Sequence, residues 1–188
     1  MRIVGGKYGS RILKAPSGDA IRPTSDKLRG AIFNMLRSRG VLDGAMAIDC
    51  FCGTGALGIE ALSQGAAQCV FVDNSHASFD LAKENAAALK IGSEAEFIFR
   101  DATKMGARPQ TIPTRTLVFL DPPYRKNFVP QALESLSQGG WLAADAMCVI
   151  EVEKDFVAAL PPGISAVDER IYGETKLILA IASSSVPE

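Results

Sequence analysis

From about residue 46 onward, the sequence alternates between short apolar strand patterns and helical patterns. The predicted strands cover 45–51, 68–73, 96–101, 116–121, 147–152, 164–172 and 175–182, and the predicted helices between them cover 56–64, 77–89 and 129–138. Strands that alternate with helices predict parallel βαβ units and a doubly wound α/β sheet. The last two strands are separated only by Gly173-Glu174, which predicts a terminal antiparallel hairpin. The crossover 106–115 contains too much proline to predict a helix.

Aspartates occupy equivalent positions in this predicted sheet. Each of the first four strands has one at or next to its carboxyl end: Asp49, Asp73, Asp101 and Asp121. Ligands of doubly wound sheets bind outside the carboxyl ends of the strands. One such acid would be an ordinary polar start to a loop, whereas four of them predict a site that requires carboxylates.

The loop after the first predicted strand is rich in glycine. Gly53-Thr54-Gly55-Ala56-Leu57-Gly58 matches GxGxxG between a strand and a helix, and Asp73 follows about twenty residues later, as in the dinucleotide fingerprint. A nicotinamide-dependent oxidoreductase is therefore one alternative. Electrostatics argue against it, because the Asp49 carboxylate just before the loop would repel a pyrophosphate.

S-adenosylmethionine (SAM) suits the same loop better, since it has no phosphate and carries a sulfonium and an ammonium group. Asp49 can accommodate these cations directly or through water. Asp73 is placed for the ribose diol, Asp101 and Ala102 are placed for the adenine, and the glycines allow backbone to approach the methionine part. These features favour a methyltransferase over a dehydrogenase.

The stretch LDPPY, residues 120–124, follows a buried strand pattern. Each proline lacks an N–H and fixes its φ, so the chain leaves the strand stiff and extended. The Asp121 carboxylate and the Pro122 carbonyl can then accept both hydrogens of a planar amine, and Tyr124 can stack on an extruded base. The same residues would also suit a rigid turn with a solvent-facing acid. A covalent route through Cys50 or Cys52 is less favoured, because both belong to the cofactor loop.

The first 39 residues are basic. They hold nine Lys/Arg against two Asp, a balance of +7, although the whole chain has a net charge of -1. A basic segment on an acidic body predicts contact with a polyanion. Residues 2–5 and 10–14 predict a hairpin, and a helix follows, with Thr24 or Ser25 as its cap and an apolar stripe of Leu28, Ile32, Met35 and Leu36.

The remaining composition limits the possible classes. The chain has 188 residues and 47% hydrophobic content, which suits one domain with a substantial core. Its four cysteines form no CxxC pair and its one histidine is His76, so we expect buried reduced thiols and no metal site. Without a leader-like start or a long apolar run, we expect a soluble cytoplasmic protein.

The motifs DCFCGTGALG, VFVDNS, RDA and LDPPY, in this order and spacing, resemble those of class I SAM-dependent methyltransferases. LDPPY resembles the [DN]PP[YFW] signature of enzymes that methylate a planar exocyclic nitrogen. Together with RIVGGKYGSRILKAPSGDAIRPTSDKLRGAIFNML and DCFCGTGALGIEALSQGA, the motifs resemble the RsmD family of 16S rRNA guanine-N2 methyltransferases over essentially the whole chain. The chain departs from the usual family pattern at Cys50 and Cys52, where the family more often has leucine and alanine.

The resemblance implies a Rossmann-like fold with a mostly parallel seven-stranded sheet, an N-terminal extension over 1–40 for RNA contact and a methyltransferase domain over 41–188. It implies SAM as cofactor and 16S rRNA in the assembled or assembling 30S subunit as substrate. We expect a monomer. DPPY alone would also suit a DNA adenine-N6 or a protein glutamine-N5 methyltransferase, and the basic extension alone would suit a non-enzymatic rRNA-binding module.

The strand-end acids, the glycine loop, the LDPPY stretch and the basic extension together predict the following site residues. The catalytic residues are Asp121, Pro122, Pro123 and Tyr124. The cofactor contacts are Asp49, Phe51, Cys52, Gly53, Gly55, Asp73, Asn74, Asp101 and Ala102. The RNA contacts are Arg2, Lys7, Arg11, Lys14, Arg22, Thr24, Arg125 and Lys126.

Overall fold

A computed structural model describes residues 1–15, 25–123, 127–157 and 159–183. Seven strands form one sheet in the order β3-β2-β1-β4-β5-β7-β6. The strands are β1 (Met46–Cys50), β2 (Gln68–Asp73), β3 (Ala95–Phe99), β4 (Arg115–Leu120), β5 (Leu142–Glu153), β6 (Ile164–Tyr172) and β7 (Thr175–Ala182). The α-helices are α1 (Asp26–Ser38), α2 (Ala56–Ser63), α3 (His76–Ala88) and α4 (Phe128–Gln138).

The strand directions confirm the predicted α/β sheet. Strands β1 to β5 pair in parallel, and β7 pairs antiparallel with both β5 and β6. The order reverses at β1, whose neighbours are β2 and β4, so the switch point lies where the first glycine loop begins. Strand β3 ends at Phe99, and Asp101 instead precedes a short 3-10 helix, Ala102–Lys104. Strand β5 begins at Leu142, earlier than the predicted 147–152.

Both faces of the sheet are covered. On one face, Phe71 and Phe119 are fully buried beneath α1, α2 and α3. On the other face, Ile48 and Val118 are fully buried with apolar residues of α4. Strands that are buried on both faces read as continuous apolar runs, which is why the sequence showed the parallel strands so clearly. In the described ranges, no helix is long and apolar enough to cross a membrane.

Helix α1 has the predicted cap and apolar stripe. The Ser25 side chain accepts a hydrogen bond from the Leu28 N–H, which satisfies one of the first free amides of the helix. Thr24, the other predicted cap, lies outside the described residues. The four stripe residues, Leu28, Ile32, Met35 and Leu36, are all buried.

The predicted hairpin over 2–5 and 10–14 is present but short: backbone hydrogen bonds join Ile3 N–H to the Arg11 carbonyl at 2.9 Å and Leu13 N–H to the Met1 carbonyl at 3.0 Å. These segments make one antiparallel bridge, Arg2 with Ile12, around a short 3-10 helix, Gly6–Tyr8. The backbone N–H groups of Val4 and Gly5 donate to Glu60 of α2 at 2.7 and 2.9 Å, rather than to a partner strand. Contacts with α2 therefore end the pairing at Val4 and Gly5 and add to the short hairpin.

The Glu60 carboxylate connects the N-terminal segment to the main domain. Its side chain is fully buried, it accepts the two N-terminal amides, and its Oε2 lies 3.9 Å from Nε of the equally buried Arg29 of α1. Nearby, the Tyr8 N–H donates to the Ser63 hydroxyl at 2.9 Å. Residues 1–15, α1 and α2 therefore form one packed unit around a buried charge pair.

We expect Glu60→Ala to destabilise the protein by about 3–5 kcal/mol, because it removes one member of a buried ion pair and leaves two amides unsatisfied. Urea unfolding monitored by circular dichroism measures the change. Glu84→Ala is a matched control, since Glu84 makes an exposed ion pair with Lys14, and it should cost about 1 kcal/mol or less. Equal decreases in stability in the two variants would contradict a structural role for Glu60.

Candidate active site

A cavity of about 970 Å³ opens at the carboxyl ends of the parallel strands. It lies at the switch point of the sheet, where doubly wound folds bind ligands. Of the predicted site residues, the cavity is lined by Asp49, Phe51, Cys52, Gly53, Asp73, Asn74, Asp101, Asp121, Pro122 and Pro123. The predicted cofactor loop and the predicted catalytic segment therefore face one common space.

Other predicted residues lie elsewhere. Gly55 caps α2 with a left-handed φ of 77° and does not line the cavity. Ala102 is 2% exposed and begins the 3-10 helix behind Asp101. Five predicted residues, Arg22, Thr24, Tyr124, Arg125 and Lys126, lie outside the described residues.

The glycine loop is held tightly against the end of β2. Phe51 has a φ of 62°, an unusual conformation for a bulky residue and one that turns the chain sharply out of β1. The Gly53 N–H then donates to Asp73 Oδ2 at 3.0 Å, and the Ser75 N–H donates to Asp73 Oδ1 at 2.9 Å. Both oxygens of Asp73 are thereby oriented at the rim of the cavity.

Gly58 is the third glycine of the GxGxxG motif, and close packing explains why glycine is needed there. A Cβ at this position would lie 2.4 Å from a Phe71 ring carbon and 2.7 Å from the Cys69 sulfur. Only glycine lets α2 approach β2 this closely. That approach places the Gly58 N–H 2.8 Å from Asp49 Oδ2, to which it donates a hydrogen bond.

Asp49 is the most buried carboxyl group in the cavity, at 1% exposure. Burial raises its pKa well above the usual range, and the neighbouring carboxylates of Asp121 and Asp73 raise it further. The hydrogen bond from Gly58 opposes these effects, since it favours the ionised form. A cation bound beside Asp49 would relieve this repulsion, so the cavity is electrostatically suited to a positively charged ligand.

Asp101 lies at the edge of the cavity beyond β3. Its Oδ1 accepts hydrogen bonds from the Thr103 N–H at 2.9 Å and from the Thr103 hydroxyl at 2.7 Å. These bonds fix the chain direction at this corner and hold the carboxylate beside Asn74 and Ser75 in the cavity wall.

Asp121 follows β4, the strand that lies between β1 and β5 in the sheet. Leu120 pairs with Cys50 of β1 and with Ile150 of β5, so Asp121 follows at the middle of the sheet edge. Its side chain is half-buried, and Pro122 is buried behind it. Asp121 and Pro122 line the same cavity as the glycine loop.

Several lining residues were not predicted from the sequence. Ser25, Lys27 and Leu28 of α1 border the cavity, which shows that the helix crosses the carboxyl edge of the sheet. Glu151, Tyr172 and Thr175 line it from β5, β6 and β7. Glu151 had a detectable signal, since it is an acid near the end of a predicted strand. No sequence signal indicated that α1 would lie at the cavity, because its placement depends on tertiary packing.

The basic residues of the extension are only partly available to a polyanion. Arg2, Lys7, Arg11 and Lys14 are exposed, and none of them lines the cavity. Lys7 lies 3.8 Å from Glu94, and Lys14 lies 2.9 Å from Glu84. The balance of +7 therefore overstates the charge that faces outward, because these two lysines have acidic partners and Arg29 is fully buried.

The cysteines confirm the prediction of buried reduced thiols. All four are free and buried. Burial is the main cause that raises the pKa of the Cys50 and Cys52 thiols, and the nearby Asp49 carboxylate adds to it. A nucleophilic thiolate is therefore disfavoured at both positions. Within the described ranges, no cluster of three or more potential metal ligands is present.

Known proteins resemble this chain over nearly its full length. The family model described as Conserved hypothetical protein 95 matches residues 1–181. Ribosomal RNA small subunit methyltransferase D of Escherichia coli (strain K12) is 34% identical over 175 residues, which cover 93% of this chain and 86% of that protein. The putative rRNA methyltransferase YlbH of Bacillus subtilis (strain 168) is 34% identical over 156 residues, which cover 82% of this chain and 84% of that protein.

The solved structure of the putative methyltransferase yhhF from Escherichia coli superimposes with a TM-score of 0.83 and 31% sequence identity, and it covers 98% of this chain and 99% of that one. The fold, the motifs and these matches agree with one another. They show that the chain belongs to the RsmD family of small-subunit ribosomal RNA methyltransferases, within the SAM-dependent methyltransferases of Rossmann-like fold.

Proposed function

We propose that the cavity binds SAM and that the chain methylates the exocyclic N2 amine of a guanine in 16S rRNA. One observation carries the proposal: a single cavity joins the glycine loop and its buried acid, Asp49, to the Asp121-Pro122 segment. The first part suits a cationic cofactor, and the second suits a planar amine. Their meeting in one space is what a methyl transfer between the two requires.

The cofactor half of the cavity fits SAM in charge and size. The volume of the whole cavity, about 970 Å³, is sufficient for a cofactor together with a base. Asp49 would lie near the sulfonium and ammonium groups, and Asp73 would accept hydrogen bonds from the ribose diol. Asp101 and Asn74 would border the adenine, with Ala102 buried behind Asp101. When bound, SAM supplies an electrophilic methyl group.

The chain's own residues would make the amine reactive. The N2 nitrogen of guanine is a poor nucleophile, because its lone pair is delocalised into the ring. Hydrogen bonds from its two N–H groups to the Asp121 carboxylate and the Pro122 carbonyl would orient it and favour its pyramidal form. As the new C–N bond forms and the bond between the methyl group and the sulfonium breaks, the nitrogen would become positively charged; the Asp121 carboxylate would stabilise that charge, and the extra proton would then pass to water.

The alternatives explain less of the site. A nicotinamide cofactor would bring a pyrophosphate towards Asp49, Asp73 and Asp121, three carboxylates that already repel one another. A non-enzymatic rRNA-binding module would need neither these acids nor a cavity of this size. The adenine and glutamine alternatives share the Asp121-Pro122 chemistry but receive no support from the relatives.

For the substrate particle, we propose rRNA in the assembled or assembling 30S subunit, reached in the cytoplasm by a single chain. The exposed Arg2 and Arg11 of the 1–40 extension, together with Lys27 at the cavity, would contact phosphates of the rRNA. Arg22, Arg125 and Lys126 would extend this contact, and Tyr124 would stack on the base.

The proposal is tested with 30S particles from a strain that lacks the corresponding methylation. The particles are incubated with the protein and tritiated SAM, and the nucleosides of the rRNA are identified by mass spectrometry. The proposal requires label in N2-methylguanosine. Label only in N6-methyladenosine, or only in ribosomal protein, would contradict it.

We expect Asp121→Ala to lower methyl transfer by about 10²–10³-fold, because it removes a hydrogen-bond partner that acts on the reacting nitrogen. Asp121→Asn retains an oxygen acceptor but loses the charge, so its activity should fall less. SAM affinity, measured by calorimetry, should change by less than about threefold in both variants. Asp80→Ala, an exposed aspartate of α3 outside the cavity, is the matched control. Full activity of Asp121→Ala would refute the mechanism.

We expect the double variant Arg2→Ala/Arg11→Ala to bind 30S particles more weakly than the wild type. The slope of log K against log salt should become shallower by about 0.7–0.9 for each phosphate that is no longer neutralised. SAM affinity should stay unchanged, since neither side chain lines the cavity. Lys104→Ala, an exposed lysine of the short 3-10 helix, is the control and should retain the wild-type slope. Identical slopes in all three proteins would exclude these two arginines from RNA binding.

A further inference from the structure

Glu151 is a buried acid of the cavity for which the proposed mechanism has no role. It lies near the carboxyl end of β5 with 6% of its surface exposed. The parallel register pairs Leu120, the last residue of β4, with Ile150 of β5, so Asp121 is the first residue after β4 and Glu151 is the next residue of β5. Side chains at equivalent positions of paired strands point to the same face, and neighbouring strands lie about 4.8 Å apart. Both residues line the cavity.

The surroundings of Glu151 separate it from the cofactor loop. Glu151 pairs with Leu177 of β7, and Thr175, two residues earlier on the same face of β7, also lines the cavity. Tyr172 of β6 pairs with Thr175 and adds an aromatic side chain to the same wall. The glycine loop and Asp73 follow β1 and end β2, on the other side of β4. Asp121 therefore stands between a cofactor half and a second half of the cavity.

This second half is where a base would lie if its amine contacts Asp121. Guanine carries two adjacent donors on one edge, the N1–H and the N2 amine. An acceptor on each of two neighbouring strands matches two adjacent donors on one base edge. Adenine instead presents a lone pair at N1, and a carboxylate facing that lone pair would be repelled.

We propose that Glu151 is the specificity-determining residue that accepts a hydrogen bond from the N1–H of the target guanine, while Asp121 accepts from the N2 amine. This inference rests on the proposed function. It explains why a carboxylate is buried at this position of β5, on the opposite side of Asp121 from the cofactor loop. Glu151 would act in recognition and Asp121 in transfer, which makes their roles separable by experiment.

The test uses 2-aminopurine, which retains the N2 amine but has an unprotonated N1. The methylated nucleotide is first located by mass spectrometry, and 30S particles are then reconstituted with guanine or 2-aminopurine at that position. The wild type should prefer guanine in kcat/KM by a factor on the order of 10², because a carboxylate faces a lone pair in the analogue. Glu151→Gln can turn its amide N–H towards that lone pair, so the preference should fall below about 10-fold.

Glu153→Gln is the matched control. It makes the same change on the same strand outside the cavity, and it should keep the wild-type preference. The analogue also lacks the guanine O6, but this affects all variants equally. A change in the ratio of kcat/KM on guanine to kcat/KM on 2-aminopurine therefore reports on N1. SAM affinity should be unchanged in Glu151→Gln, which excludes a general loss of structure.

Two results would overturn the inference while leaving the proposed function intact. In one, Glu151→Gln loses activity on both bases by the same factor, which indicates only a structural role. In the other, the variant keeps both the wild-type rate and the wild-type preference. If the wild type forms no N2-methylguanosine at all, the proposed function fails, and the inference fails with it.

Discussion

The carboxylates of Asp49, Asp73 and Asp121 lie close enough along one sheet edge for the latter two to raise the pKa of the first. The parallel sheet creates this situation, because it brings the carboxyl ends of its strands to one edge. Backbone amides hold two of the acids in place: Gly58 donates to Asp49, and Gly53 donates to Asp73. The resulting negative potential disfavours a pyrophosphate and favours a ligand that brings positive charge, as SAM does.

The N-terminal extension is joined to this edge by specific contacts. Glu60 accepts the amides of Val4 and Gly5 from within α2, the helix that begins at the glycine loop. The Asn85 side chain donates to the Thr54 carbonyl of that loop at 2.9 Å, and it accepts from the Lys14 N–H at 2.8 Å. The surface proposed for RNA contact and the loop proposed for cofactor contact are therefore parts of one packed structure.

Local patterns predicted the strands, most helix bounds and the glycine loop, because a strand buried on both faces and a capped helix leave strong signals in the sequence. They failed where tertiary contacts decide. In the 2–5 segment Ile3 pairs with Arg11 across the hairpin, but the amides of Val4 and Gly5 donate to Glu60. The sequence alone predicts unpaired positive charges at Lys7, Lys14 and Arg29. In the structure, acids distant in the sequence lie beside all three. Glu151 became a site residue only when the strand register placed it beside Asp121.

The acidic edge is suited to a cationic cofactor, and the pKa of Asp49 tests this claim most directly. Carbon-detected NMR can titrate this carboxyl group in the free protein and in the SAM complex. We expect a pKa well above the usual range in the free protein and a clear decrease when SAM binds, so that SAM affinity weakens as the pH falls below the free-protein value. An ordinary pKa in the free protein, or the same pKa with and without SAM, would contradict the claim.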